Sequence, residues 1–209
     1  MPLTRGVGRV RASPMDGADA MTNEPTPQGP TRQGDRIWNT LRIAGWVGGT
    51  LLLAAPLAAM HFGVEGVNWT GSDFLIAGVM IYGTGLLLEL GFSLSRNNAY
   101  RLGMGLALGT ALLMTWANLA VGIIGNENDP ANLMFWGVIL VLMFGAVFAR
   151  FRPRGMALAL AATAAAQVLV GVVAALDGHF TLIFTGVFTA LWLGSAQLFR
   201  AAAGQQRAG

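Results

Sequence analysis

Beyond residue 36 the chain alternates long apolar runs with short polar breaks. The runs cover residues 43–62, 74–94, 102–124, 133–151, 155–176 and 180–199. Each is close to the ~20 residues that cross a ~30 Å hydrocarbon layer at ~1.5 Å per residue. In lipid a backbone N–H or C=O must be satisfied inside its own segment or in a closed barrel. Barrel strands alternate over roughly ten residues, whereas these runs are unbroken, so each predicts a helix. The pattern therefore predicts an all-α membrane protein, a six-transmembrane-helix bundle. The connections are short, which makes successive helices antiparallel neighbours and leaves no extramembrane domain to host soluble chemistry. Residues 37–200 form the membrane domain and 201–209 a short tail. Residues 1–36 are rich in Pro, Gly, Thr, Gln and Arg without an apolar period. Such a segment buries too little to offset its chain entropy and reads as a disordered tail. No apolar run follows Arg5, Arg9 and Arg11, so it does not read as a signal peptide. Met15 and Met21 are alternative starts, and Met21 is the expected native one.

Composition agrees with this pattern. The chain is 54% hydrophobic and 11% charged, against about 25% charged for a soluble domain, which is too little charge to coat a soluble globule. There is no cysteine, which excludes disulfides, iron–sulfur clusters and thiolate metal sites. All 13 basic residues are arginine. They do not gather on one face, so they give no reason to expect a nucleic-acid partner. Instead they mark every second break. Arg36 and Arg42 precede the first run, Arg96 and Arg101 separate the second and third, Arg150, Arg152 and Arg154 separate the fourth and fifth, and Arg200 and Arg207 follow the sixth. The other breaks hold Glu65, Asp73, Glu127, Asp129 and Asp177 and no Lys or Arg. By the positive-inside rule both termini are cytoplasmic, with the arginines as topology anchors in a bacterial inner membrane. The turn Arg150-Phe-Arg-Pro-Arg154 can also touch anionic headgroups.

Small residues recur at four-residue spacing: Gly45 and Gly49; Gly105 and Gly109; Ala157, Ala161 and Ala165; Gly186, Ala190 and Gly194. That spacing lets helix backbones approach closely, and the third and fifth helices are the expected places for it.

Polar groups inside the runs are costly and are the first candidates for chemistry. Glu89 is either a proton or cation site or a rim carboxylate paired with Arg96 or Arg101. Gln167 at mid-depth and Asn118 in the outer third of the third helix either bind a ligand or hydrogen-bond a neighbouring helix. His61 and His179, with the outer acids, are suitable ligand types for a divalent metal or a haem. Their spacing fits no metal motif, and no cofactor is expected. No Ser-His-Asp arrangement, zinc-protease motif or phosphate-binding glycine loop is present.

The segment Trp116-Ala-Asn-Leu-Ala-Val-Gly-Ile-Ile-Gly125 followed by Asn126-Glu-Asn-Asp-Pro-Ala-Asn132 has the most local character. Asn128-Asp129-Pro130 initiates a turn, and Asp129 or Asn132 is expected to cap the fourth helix. Capping leaves Glu127 and Asn118 unexplained. Trp69 and Trp136 at the same level fit an interfacial aromatic belt. This segment, with Val67-Asn-Trp-Thr70 and Ala149-Arg-Phe-Arg-Pro-Arg-Gly-Met156, resembles a family of small bacterial integral membrane proteins of unassigned function. The likeness covers about residues 51–176. Members of that family are shorter, often lacking the long tail and the sixth helix, and the likeness implies no activity.

Three functional classes follow from the sequence. The first is a non-enzymatic accessory or envelope protein acting by helix packing and its outer 125–132 loop, with a membrane-protein partner or a second copy. The second is a small-solute or ion transporter using Glu89, Gln167 and Asn118. The third is a membrane enzyme or haem or metal binder at the outer face.

Overall fold

The structure, a computed structural model, describes residues 31–125 and 129–208. It contains six helices: α1 (Thr31–His61), α2 (Gly71–Leu94), α3 (Asn98–Ala120), α4 (Leu133–Ala149), α5 (Pro153–Leu176) and α6 (Leu182–Ala208). All six are long and apolar enough to cross a membrane, and no strand is present among the described residues.

The helix ends differ from the ends of the apolar runs, each for a local reason. α1 begins at Thr31, so Arg36 and Arg42 lie within the helix and not before it. The expected disordered tail therefore stops short of residue 36; residues 1–30, Met21 among them, lie outside the described residues. A helix leaving the hydrocarbon can continue through polar residues, and the polar α1 start and the α6 end at Ala208 both do so. α1 also continues unbroken through Pro56. α3 stops at Ala120, before the greasy residues end, because Gly122 takes φ +76° and its N–H returns to the Ala117 carbonyl at 3.1 Å. That left-handed glycine is the ordinary way to end a helix.

The chain divides at residue 43 into two compact units, and the packing described here belongs to residues 44–209. α5 lies against both α4 and α6, α6 lies against α3, and α2 leans on α3. Trp192, Tyr100, Phe135, Phe199 and Leu160 fill the core. Tyr100 and Phe199 meet edge to face at 5.0 Å. The Ser195 hydroxyl donates to the Gly103 carbonyl at 2.7 Å and ties α6 to α3.

Close backbone approach occurs, but not where the four-residue spacings put it on α3. Gly105 and Gly109 have open space around them. Gly103 is the glycine that faces α6, its missing Cβ replaced by Phe199 and Leu198. On α5, Ala157 is buried but Ala165 is exposed. The tight contacts there are Ala159 against Gly145 and Gly171 against Thr185. Gly186 and Ala190 are exposed as well. Residue spacing gives the pitch of a stripe but not the side of the helix that meets a neighbour.

The connections between α2 and α3 and between α4 and α5 meet the end of α6 at one end of this unit. Ser95, Tyr100, Arg150, Arg152, Arg154 and Gln206 share one cavity there. Asn97 closes that end, accepting from the Tyr100 N–H at 3.1 Å and donating to Gln205 at 2.7 Å. Arg101 donates to the Ser95 carbonyl at 3.0 Å and the Phe92 carbonyl at 3.4 Å, which satisfies the last turn of α2.

Candidate functional site

The hairpin between α3 and α4 is the most elaborately bonded place outside the helices. After Gly122 the chain turns through Ile123 and Ile124 to Gly125, at φ +62°. A Cβ at Gly125 would stand 2.7 Å from the Asp129 carboxylate, so both backbone sign and space require glycine there. Residues 126–128, including Glu127, lie outside the described residues. The chain re-enters through a short 3-10 turn, Pro130–Asn132, that leads directly into α4. Asp129 caps that turn, accepting from the Ala131 N–H at 2.9 Å.

Of the two residues expected as caps, Asp129 is the one that caps, and the Asn132 side chain makes no cap hydrogen bond to α4. The amide instead reaches back across the hairpin. Its Oδ1 accepts from the N–H groups of Ile123 and Ile124, both at 2.9 Å. Its Nδ2 donates to the Ile124 carbonyl at 3.0 Å. A carboxamide has one accepting and one donating end, so it can complement a peptide edge on both counts; a carboxylate or an aliphatic chain cannot. Asn118 adds a second strut, its Nδ2 donating to the Asn132 carbonyl at 3.2 Å. Its own Oδ1 is buried without a hydrogen-bond partner among the described residues.

These residues surround a cleft of about 520 Å³ bounded by Asn118, Asp129, Pro130, Asn132, Leu133 and Trp136. Three of the six polar residues singled out from the sequence therefore meet here. Trp116 is half-buried nearby, its ring 6.1 Å from Trp69, which meets Phe74 edge to face at 5.2 Å. Asp73, read from sequence only as an outer acid, accepts from the N–H and hydroxyl of Thr70 at 2.7 and 2.8 Å and fixes the start of α2.

Glu89 and Gln167 stand apart from the hairpin. Glu89 on α2 accepts from the Trp46 indole N–H of α1 at 3.1 Å. Trp46 stacks on Tyr82 with centroids 6.0 Å apart, and Tyr82 shares a hydrogen bond with Thr50 at 3.2 Å. Trp46, an aromatic donor on another helix, gave no sequence signal because nothing in the spacing sets the α1–α2 register. Gln167 is fully buried on α5, and neither amide atom has a hydrogen-bond partner among the described residues. The hydroxyls of Thr185 and Thr189 and the indole N–H of Trp192 on α6 are likewise buried and unpartnered. Thr110 and Thr163 satisfy themselves on the Leu106 and Ala159 carbonyls. His61 is exposed and His179 half-buried. No three His, Asp or Glu side chains among the described residues come together as metal ligands.

Compared with known protein families, curated proteins and solved structures, the chain matches none.

Proposed function

We propose that this multi-pass membrane protein is a non-enzymatic accessory protein of the bacterial inner membrane that acts through its outer hairpin. The observation that carries this reading is the separation of the intramembrane polar groups. A transport path needs groups staged along one wet route. Here Glu89 is bonded to Trp46, Gln167 is fully buried on α5, and Asn118 holds the Asn132 carbonyl. The large cavity between α2 and α4 is lined by none of the three. What the polar residues do build is a braced pair of hairpin arms: Asn118 and Asn132 tie residues 123–124 to the start of α4, and Asp129 caps the turn leading into it, beside an open cleft. Arms held this way present a partner with a surface whose ordering cost is already met. The arginine-free outer connections and the likeness of the hairpin and the 149–156 turn to small bacterial membrane proteins support an inner-membrane location with both termini inside.

A photo-crosslinking residue at Pro130, which is exposed on the rim of the cleft, tests the reading in native membranes. The expected result is one discrete protein adduct, either a partner or a second copy, lost when the crosslinker is moved to lipid-facing Leu169. Adducts of the same pattern at both positions, or none at Pro130, would overturn it.

A further inference from the structure

A long apolar groove runs from Thr115 and Ile139, just below the hairpin, to Leu94 and Phe151 at the basic end. α3 and α4 barely touch along their length, and the space between them, flanked by α2, is a cavity of about 360 Å³. It runs along α2 from Met80 to Leu94, a rise of about 21 Å. Its floor is Ala107, Leu108 and Ala111 of α3. Exposed Leu87, Leu90, Met143 and Val147 border it, so it opens sideways to the surrounding lipid. About 360 Å³ spread over that length is too narrow for a helix about 10–12 Å across to enter. An extended acyl chain is the occupant that the surrounding lipid supplies, and the groove is longer than the ~15 Å that one leaflet of a ~30 Å core requires.

The groove ends at charge. Leu94 and Phe151 belong both to the groove and to a polar cavity of about 1060 Å³ at the basic end. Arg150, Arg152 and Arg154 border that cavity with exposed side chains, and among the described residues no Asp or Glu borders it. The turn is built for this placement. Arg150 and Phe151 both take left-handed backbone, φ +50° and +54°, which costs each a non-glycine penalty. The Tyr100 hydroxyl holds the strained segment by donating to the Phe151 carbonyl at 2.9 Å. The result puts Phe151 at the mouth of the groove and the flanking arginines at the rim. α5 then starts at Pro153 without a side-chain cap, and Pro153, Arg154 and Gly155 of its first turn border the same cavity.

We propose that this groove and turn form a binding site for one anionic phospholipid, its acyl chain between α2 and α4 and its headgroup phosphate on Arg150, Arg152 and Arg154. The test uses purified full-length protein, delipidated and then titrated with phosphatidylglycerol or phosphatidylcholine of equal chain length, with bound lipid counted by native mass spectrometry. Phosphatidylglycerol should bind at least about tenfold more tightly, and Arg152→Gln should lower its affinity about fivefold while Arg152→Lys keeps most of it. Ala111→Phe, which fills the floor, should abolish the tight site. A series of lysophosphatidylglycerols of increasing chain length should bind progressively better without any substitution. Soluble glycerol phosphate should not displace the lipid. Equal affinity for the two headgroups, or Arg152→Gln at wild-type affinity, would overturn the headgroup assignment. A flat chain-length series, or displacement by glycerol phosphate, would reduce the site to a bare phosphate site and overturn the groove.

Discussion

Replacing Asn132 by alanine should cost this protein more than any other single side-chain truncation in the hairpin. The side chain makes three hydrogen bonds to backbone groups of Ile123 and Ile124. Ile124 is only 1% exposed, and among the described residues its N–H and C=O bond to the Asn132 amide. A buried polar group left unpaired costs about 1–3 kcal/mol, and a polar contact in a membrane protein averages about 0.6 kcal/mol. Water reaching the broken bonds from the adjoining cleft moderates the loss. The expected destabilisation is therefore about 2–4 kcal/mol, larger than three average membrane hydrogen bonds and smaller than two fully orphaned groups. Asn132→Leu separates hydrogen bonding from packing, since leucine restores the volume but none of the bonds; it should cost at least 2 kcal/mol as well, on the same reasoning. Reversible unfolding in mixed micelles, followed by tryptophan fluorescence, measures both. An alanine variant within about 0.5 kcal/mol of wild type, or a leucine variant that restores full stability, would refute the reasoning.

Other substitutions have smaller or opposite expected effects. Asn118→Leu should fall within about 1 kcal/mol of wild type in the same assay, because losing one bond to the Asn132 carbonyl is offset by removing the unpartnered Oδ1. Gln167→Leu should stabilise the protein by about 1 kcal/mol or more, because the buried amide has no partner among the described residues; a destabilised variant would show that the amide is bonded. Gly171→Ala puts a methyl onto Thr185 and should cost about 1–3 kcal/mol. Gly105→Ala enters open space and should be neutral within about 0.5 kcal/mol or slightly stabilising.

The helices were legible because lipid imposes a simple rule. An apolar run long enough to cross has to be a helix, so α2 and α5 end at Leu94 and Leu176, where their runs end. Local polar chemistry was legible in part: the Asn-Asp-Pro turn and the capping role of Asp129 follow from residue type and order. The work of Asn132 was not legible, because it depends on how far the chain doubles back to Ile124. Residue type alone made it a helix cap. The same limit applies to Gly103, where two residues of offset from Gly105 decide which glycine meets α6, and to Glu89, whose Trp46 partner is 43 residues away. The Arg150–Arg154 turn read as a topology anchor. Only the gap between α3 and α4 connects it to an apolar groove.

The central claim is that the hairpin faces outward while the arginine turn faces the cytoplasm. The chain has no cysteine of its own, so single cysteines at Pro130 and Arg152 report without interference. In intact cells a membrane-impermeant maleimide should label Pro130→Cys and leave Arg152→Cys unlabelled until the membrane is opened. Labelling of Arg152→Cys in intact cells, with Pro130→Cys protected, would reverse the topology and remove the outer hairpin as a docking element.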